Sequence, residues 1–239
     1  MVSAHIIHTL TIDFRPHFIL NRPFQFCYTP LMAHMKAFDE AQTLEQVMTL
    51  FSEHGYEGTS IRDLTAHTGL STSSLYATFG DKYELYGAAL DKYRAIEREQ
   101  FAIFLSVEQP LRPLLALMFA ELIDGLLATD NLGSFTLNAA VEMGGRDTTI
   151  ARRLRDHFDD ISAMLAERLA AAQADGEIAA TRSPIELARY LLFGVYTLAL
   201  MTKFYTDRKQ LNGTVEMLLA VLDTEPVAAQ VGSVVGRAA

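Results

Sequence analysis

Four small hydroxyl residues follow one another in this chain: Ser71, Thr72, Ser73 and Ser74. At an exposed helix start, such side chains can donate hydrogen bonds to phosphates or touch base edges without blocking close approach. The free backbone N–H groups of the same helix start favour an anion. Downstream, Tyr76 and Lys82 carry polar groups that can reach a nucleic-acid backbone, so this segment has the chemistry of a DNA contact.

The same serines also fit an ordinary structural role. Ser at an N-cap accepts a hydrogen bond from the backbone of the first helical turn. A glycine between two short helices is likewise common in helical bundles of any function. The spacing alone therefore leaves capping and DNA contact open as alternatives.

Two helices are predicted ahead of the serines, and the second of them is short. Over residues 38–54, apolar residues recur at i, i+3, i+4 and i+7, the pattern of a helix with one buried stripe, and Gly55 ends it. Ser60 and Asp63 have the spacing of a capping box, which predicts a second helix to about Thr68.

The serines then open a third helix. Gly69 allows the positive φ of a tight turn, Leu70 can plug the space between two helices, and Ser71 can cap a helix that runs through Phe79. The order helix, turn, helix is the arrangement that places a second helix in the major groove of DNA.

Helical patterns fill the remainder of the chain. Asp81 and Glu84 can cap a fourth helix that extends past Gln100, and further helices are predicted near 111–129, 132–143, 147–175, 184–206 and 208–222. No convincing strand pattern occurs. We therefore predict an all-α fold with an N-terminal three-helix helix-turn-helix domain at 35–95, whose candidate DNA-reading segment is 60–79, and a C-terminal helical bundle at 96–224.

The two ends of the sequence lack a sustained period. Residues 1–34 combine three prolines with four histidines, and we expect a loose tail there; Met32 and Met35 are alternative candidates for the true start. Residues 225–239 are expected to form a frayed C-terminal tail.

The charge of the chain argues against nucleic-acid binding. Its formal net charge is −9, and between Met35 and Arg94 five basic residues face nine acidic ones. Phosphate contacts normally come from clustered Lys and Arg. A DNA-binding function must therefore rest on the motif.

Composition indicates the cellular setting. The single cysteine, Cys27, excludes an intramolecular disulfide and a cysteine metal cluster within one chain. No signal peptide is evident, and the dense apolar stretch 190–201 is shorter than the roughly 20 residues that a bilayer requires. We predict a cytoplasmic protein without a membrane partner.

A longer ordered pattern carries a family resemblance. Between Leu44 and Leu85 the sequence contains, in order, a Leu-Phe pair before a glycine, Gly-Tyr-x-Gly-Thr-Ser, Asp63-Leu64, Gly69-Leu70-Ser71, Leu75-Tyr76, Phe79 and Gly80-Asp81-Lys82. This stretch resembles the N-terminal domain of the TetR family of bacterial transcriptional regulators. So many matches in order are far more specific than a single short motif.

The resemblance implies which residues contact DNA. Ser71 to Ser74 would lie near base edges, and Tyr76 and Lys82 on phosphates. Thr78 departs from the pattern, since many relatives place His or Tyr before the Phe, so one contact would be shorter or missing. The full predicted set is Ser60, Arg62, Ser71, Thr72, Ser73, Ser74, Tyr76, Thr78 and Lys82.

The resemblance further implies a homodimeric repressor that a small-molecule effector of unknown identity releases from a roughly palindromic double-stranded DNA operator. Candidate pocket residues are Met118, Phe119, Phe135, Asn138, Met143, Phe158 and Tyr196, all of which also suit an ordinary core. The segment 131–142 is similar to a helix of one family branch in which some members have a cysteine where this chain has Ser134, which disfavours a thiol-based sensor.

Residues 185–201 are apolar on almost every face, so this helix must be buried on all sides. The resemblance implies that residues 96–224 form a ligand-binding and dimerisation domain whose last two long helices pair with those of a second copy, so the dimer contact is expected there. The predicted residues are Leu187, Leu191, Val195, Leu198, Leu218 and Leu222, with internal core as the alternative.

Enzymatic function finds little support, since there is no HExxH, P-loop or dinucleotide motif and no Cys/His pair in an ordered part. Glu142, His157 and Asp160 make only a loose group. Neither a cofactor nor a metal site is predicted. The remaining alternatives are a helical ligand-binding bundle or an activator with altered DNA binding.

Overall fold

The computed structural model describes residues 39–128 and 134–223, and within them every regular element is helical. The helices are α1 (Glu40–Gly58), α2 (Ile61–Thr68), α3 (Thr72–Phe79), α4 (Lys82–Leu105), α5 (Leu111–Leu127), α6 (Phe135–Met143), α7 (Thr148–Ala174), α8 (Pro184–Met201) and α9 (Arg208–Leu219), followed by the 3-10 turn Ala220–Leu222. The predicted all-α fold is confirmed, whereas both predicted tails lie outside the described residues.

The first helix is broken where the sequence predicted its end. Gly55 has φ 71° and ψ −176°, a conformation that is essentially restricted to glycine. The helix nevertheless resumes for one more turn after Gly55 and ends at Gly58. The break therefore creates a second helix start, with its own free N–H groups, inside α1.

The turns of the helix-turn-helix have the predicted chemistry. Ser60 and Asp63 form both hydrogen bonds of the capping box at the start of α2. Gly69 adopts the left-handed conformation, with φ 70° and ψ 8°, after that helix. Ser71 then caps α3 through the backbone N–H of Ser74. Each of these local predictions is confirmed.

The fourth helix joins the two halves of the molecule. A capping box of Asp81 and Glu84 starts α4, which continues without interruption to Leu105. The predicted domain boundary between residues 95 and 96 therefore falls inside a continuous helix. We call residues 39–95 the head and residues 96–128 and 134–223 the body.

The head does not complete its own core. Phe51, Leu64, Leu75 and Tyr86 are fully buried there, in one cluster with Phe135. Phe135 comes from α6 in the body, and Ala139 and Ile150 join the same cluster from α6 and α7. The body thus forms one wall of the head.

The body has a separate core built from α4, α5, α7, α8 and α9. By length and composition, α8 is the one described helix that could cross a membrane. It ends at Met201, five residues before the predicted end, and eight of its residues are buried. Gly194 lies so close to α9 that an added Cβ would be 2.8 Å from Cδ1 of Leu218.

Candidate DNA-binding site and its link to the C-terminal domain

The serine cluster at the start of α3 contains one capping side chain and exposed neighbours that are free of the cap. The Ser71 hydroxyl accepts from the N–H of Ser74 at 3.1 Å and lies 2.9 Å from the hydroxyls of both Ser73 and Ser74. Ser71 is therefore the cap. Thr72 and Ser73 are exposed, so their hydroxyls can contact a ligand outside the protein.

The other predicted contact residues also include side chains that are engaged in caps and side chains that are exposed. The Ser60 hydroxyl is engaged with Asp63, to which it donates at 2.5 Å. That bond and the one from the Ser60 N–H hold the pKa of Asp63 below its ordinary value. Arg62 and Thr78 are exposed, and Tyr76 is 37% exposed. Among the predicted residues of α2 and α3, the side chains exposed to a partner are thus those of Arg62, Thr72, Ser73, Tyr76 and Thr78.

Lys82 lies at the start of α4 and is held by an aromatic ring. Its ammonium lies 4.3 Å from the centroid of the Tyr56 ring, within the range of a cation–π interaction. Tyr56 in turn makes an edge contact with Tyr86, their ring centroids 5.1 Å apart. Burial and the nearby Asp81 carboxylate raise the pKa of Tyr56. The sequence pattern included Tyr56 without giving it a role.

The helix start that follows Gly55 is capped from the body. Glu142 of α6 accepts the N–H of Tyr56 at 2.7 Å with one carboxylate oxygen and the N–H of Glu57 at 2.8 Å with the other. Asn138, one turn earlier on α6, donates to the Ser52 carbonyl at 2.9 Å. Two side chains of α6 therefore hold the end of α1. The sequence offered no signal for this pairing across more than eighty residues.

A cleft of about 670 Å³ opens beside this junction. Its walls come from the end of α1, from α6 and from the end of α8. The lining residues are Glu53, His54, Gly55, Leu137, Asn138, Val141, Glu142, Leu200 and Lys203.

Comparison with known proteins identifies the family. Residues 44–89 match the N-terminal domain of "Bacterial regulatory proteins, tetR family", and residues 114–218 match "Tetracyclin repressor-like, C-terminal domain". YezE of Bacillus subtilis, an uncharacterized HTH-type transcriptional regulator, is 30% identical over 196 residues, which cover 80% of this chain and 100% of that protein. The chain belongs to the TetR family.

Further relatives of the TetR family carry a more specific description. The HTH-type transcriptional repressor ComR of Escherichia coli is 31% identical over 168 residues, or 69% of this chain and 80% of ComR. A solved structure of the TetR regulator CifR, a cysteine mutant on 26-bp operator DNA, is 26% identical, with a TM-score of 0.69, and covers 80% of this chain and 100% of that one. The chain is therefore a DNA-binding transcriptional regulator with the TetR fold.

The pocket residues predicted from the TetR resemblance lie in different parts of the described structure. Met118 and Phe119 are buried in the body core, whereas Phe135 and Met143 belong to the head core. Phe158 stacks on Phe193 at 5.1 Å and lies 6.1 Å from Tyr196, ring centroid to ring centroid. Asn138 lines the cleft at the junction. The seven residues are thus divided between the two cores and the cleft, and their role in binding an effector stays a prediction.

A buried polar cluster, which sequence analysis did not assemble, lies in this TetR body. Nε2 of His157 on α7 lies 2.9 Å from the Glu97 carboxylate on α4, and the Thr136 hydroxyl of α6 donates to the same carboxylate at 3.1 Å. Ser134 bonds to Thr136 at 2.7 Å. Tyr196 of α8 completes the group through a hydrogen bond with Thr136, and burial raises its pKa. We call Glu97, Ser134, Thr136, His157 and Tyr196 the polar cluster.

The side chains predicted for the dimer contact face inward. Leu187, Leu191, Val195, Leu198 and Leu222 are buried in the core of one chain, and Leu218 packs partly buried against the same core. The five buried side chains offer no surface to a second molecule, which favours the alternative of internal core, whereas Leu218 keeps part of its surface. The exposed apolar residues on the outer faces of α8 and α9 are Tyr190, Phe193, Leu200 and Met217.

Proposed function

We propose that this TetR-family regulator is a homodimeric repressor that leaves a roughly palindromic operator when a small-molecule effector binds its body. The observation that carries the DNA-binding part is the exposed row Thr72, Ser73 and Tyr76 on α3, which is followed in the chain by Lys82 at the start of α4. The capped helix start would enter the major groove, where Thr72 and Ser73 meet base edges while Tyr76 and Lys82 bind phosphates.

The dimer would use the outer faces of the last two long helices. Phe193 is 60% exposed and Met217 is 78% exposed, although both are large and apolar. Contiguous exposed apolar side chains of this size mark interaction surfaces in soluble proteins. A twofold axis through this surface would place two copies of α3 on one face of DNA, which explains the expected palindrome.

The effector would exchange hydrogen bonds with the polar cluster. Glu97 and His157 are an acid and an imidazole with side chains 10% and 3% exposed, among helices α4, α6, α7 and α8. Buried polar groups of this kind give orientation and specificity to small-molecule sites. Because Thr136 belongs to α6, a ligand that takes over its hydrogen bond can move the helix that touches the head. The relative ComR is described as a repressor, which supports repression.

The expected location is the cytoplasm, and the expected role is regulation without catalysis. Membership in a family of transcriptional regulators supports both expectations.

The test begins with selection of binding sites from a random pool of duplex DNA by the full chain. Wild type should enrich a palindrome, and Lys82→Ala should weaken binding to it about tenfold at 100 mM salt, because a phosphate contact is lost. Lys209→Ala removes a cation of α9 and should change nothing. Absence of any enriched sequence would exclude specific operator binding.

A reporter with the selected palindrome overlapping its promoter then separates repressor from activator. Expression of the wild-type chain should lower transcription, and a rise would contradict repression. For effector release, compounds from a metabolite library that restore transcription should lose their effect in Thr136→Val. A compound that acts equally on this variant would place the effector elsewhere.

A further inference from the structure

We infer that Glu142, a residue of the body, is a positioning residue for DNA binding: by capping the last turn of α1, it holds Tyr56 and, through its ring, Lys82 where Lys82 can bind DNA. This inference goes beyond effector release and rests only on DNA binding by the head. None of the contacts requires an effector.

The geometry at Gly55 explains why an acid is needed there. The glycine breaks α1, so the N–H groups of Tyr56 and Glu57 start a new helical turn and have no helical acceptor of their own. The two oxygens of Glu142 accept one N–H each, at 2.7 and 2.8 Å. Hydrogen bonds to an ionised group are stronger than neutral ones, and the helix start favours the negative charge.

The contact is also tightly packed. A Cβ built on Gly55 would lie 2.6 Å from a carboxylate oxygen of Glu142, closer than real atoms approach. The glycine is therefore required twice, for its positive φ and for the approach of the carboxylate. Such a fit holds the backbone of Tyr56 in one place relative to α6.

The position of Tyr56 passes directly to Lys82. The ring of Tyr56 is held on its inner side by Tyr86, an edge contact with centroids 5.1 Å apart. Lys82 lies over the same ring, its ammonium 4.3 Å from the centroid. If Glu142 withdraws, the turn that carries Tyr56 loses its cap, and the lysine loses the surface that orients it.

This path differs from the direct continuity of α4. It starts on α6, uses two hydrogen bonds to α1 and ends on the first turn of α4. Asn138 adds a second attachment on the same face of α6, through the Ser52 carbonyl at 2.9 Å. A shift of α6 by the length of a hydrogen bond is therefore sufficient to release the end of α1.

The test measures the affinity of the full chain for the duplex selected with wild type, at several salt concentrations. Glu142→Ala should weaken binding about tenfold, the effect of losing charged hydrogen bonds. It should also lower the slope of log Kd against log salt by about 0.9, the value for one phosphate contact. Lys82→Ala should lower the slope equally, and the double variant should bind no worse than Lys82→Ala.

Two further variants separate positioning from general damage. Glu216→Gln removes an acid of the same charge on α9 and should leave affinity and slope unchanged. Glu142→Gln keeps one acceptor oxygen and nearly the same volume, and should fall between wild type and Glu142→Ala. A thermal-unfolding scan of each variant identifies any that fail to fold; if Glu142→Ala fails, Glu142→Gln alone decides.

Either of two results would overturn the inference. One is a Glu142 variant that folds and binds DNA with wild-type affinity and salt slope. The other is an affinity loss that adds in full to that of Lys82→Ala while the slope stays at the wild-type value, since Glu142 would then act without Lys82.

Discussion

The ammonium of Lys82 on α4 lies over the ring of Tyr56 on α1, 4.3 Å from the ring centroid. Lys82 is expected to bind a DNA phosphate, whereas Tyr56 need not contact DNA itself. If Lys82 binds phosphate as proposed, we expect the residue at position 56 to affect DNA affinity.

Substitutions of Tyr56 test this relationship. Tyr56→Phe keeps the ring and should bind the selected duplex as wild type does. Tyr56→Leu removes the π face and should weaken binding about twofold to fivefold, the effect of a partly exposed cation–π contact. Fluorescence anisotropy with a labelled duplex measures both. Equal affinities of the Phe and Leu variants would show that Lys82 does not depend on the ring.

We expect Ser71 and Ser73 to affect different properties: Ser71 the stability of the fold, and Ser73 the affinity for DNA. Ser71→Ala removes the N-cap of α3 and should lower the free energy of unfolding by about 1 kcal/mol. Ser73→Ala should leave the unfolding midpoint in urea unchanged, because its hydroxyl bonds only to the Ser71 side chain among the described contacts. Its DNA affinity should fall instead. A larger stability loss for Ser73→Ala than for Ser71→Ala would reverse the assignment of cap and contact.

The outer face of α8 should control assembly. Phe193 is 60% exposed and stacked on Phe158 with centroids 5.1 Å apart, so a charge at this position would lie inside any dimer contact. Phe193→Glu should sediment as a monomer and bind a full palindrome more weakly than wild type. Ile103→Glu, at a site that is 53% exposed on α4, is the matched control and should remain a dimer. Dimers of both variants would exclude this face.

Acid should weaken the capping of α2 in a defined direction. Hydrogen bonds from the Ser60 side chain and backbone hold the pKa of Asp63 below its ordinary value of 3.8. The folded protein thus binds this proton less readily than the unfolded chain does. Asp63 therefore contributes stability above pH 3.8, and that contribution is lost as pH falls through the lower, folded pKa.

Circular dichroism melts from pH 6 to pH 3 measure this effect. Wild type should lose more thermal stability over the acid end of the range than Asp63→Asn, which has no proton to gain. The other carboxylates contribute alike to both proteins and cancel in the difference. Parallel melting curves would show that the cap does not depend on the charge of Asp63.

Local sequence signals predicted much of this fold because their causes are local. The capping box of Ser60 and Asp63 and the turn at Gly69 each depend on residues a few positions apart, and each occurs as predicted. The sequence did not distinguish the inner side of α8 from its outer side. A helix that is apolar all round does not reveal which side meets its own chain, so Leu191 was taken for a contact and Phe193 was not.

The link between head and body could not be predicted because it is long-range. Glu142 reaches Tyr56 across 86 positions, and nothing near either residue points to the other. In the sequence, Glu142 stood out only as a member of a loose acid and histidine group. The division of the candidate pocket residues between two cores was equally out of reach, since helical periodicity fixes the buried face of a helix but not the neighbour that this face meets.

The fully buried ring of Phe135 bears on how such regulators can be recombined. It lies 5.2 Å from the Tyr86 ring and 5.6 Å from that of Tyr93, centroid to centroid, and closes the aromatic group of the head from the body side. A chimera that joins this head to the body of another regulator would leave those rings facing a void unless the graft carries α6 as well. The transferable unit is therefore discontinuous in sequence: residues 39–95 together with Phe135–Met143.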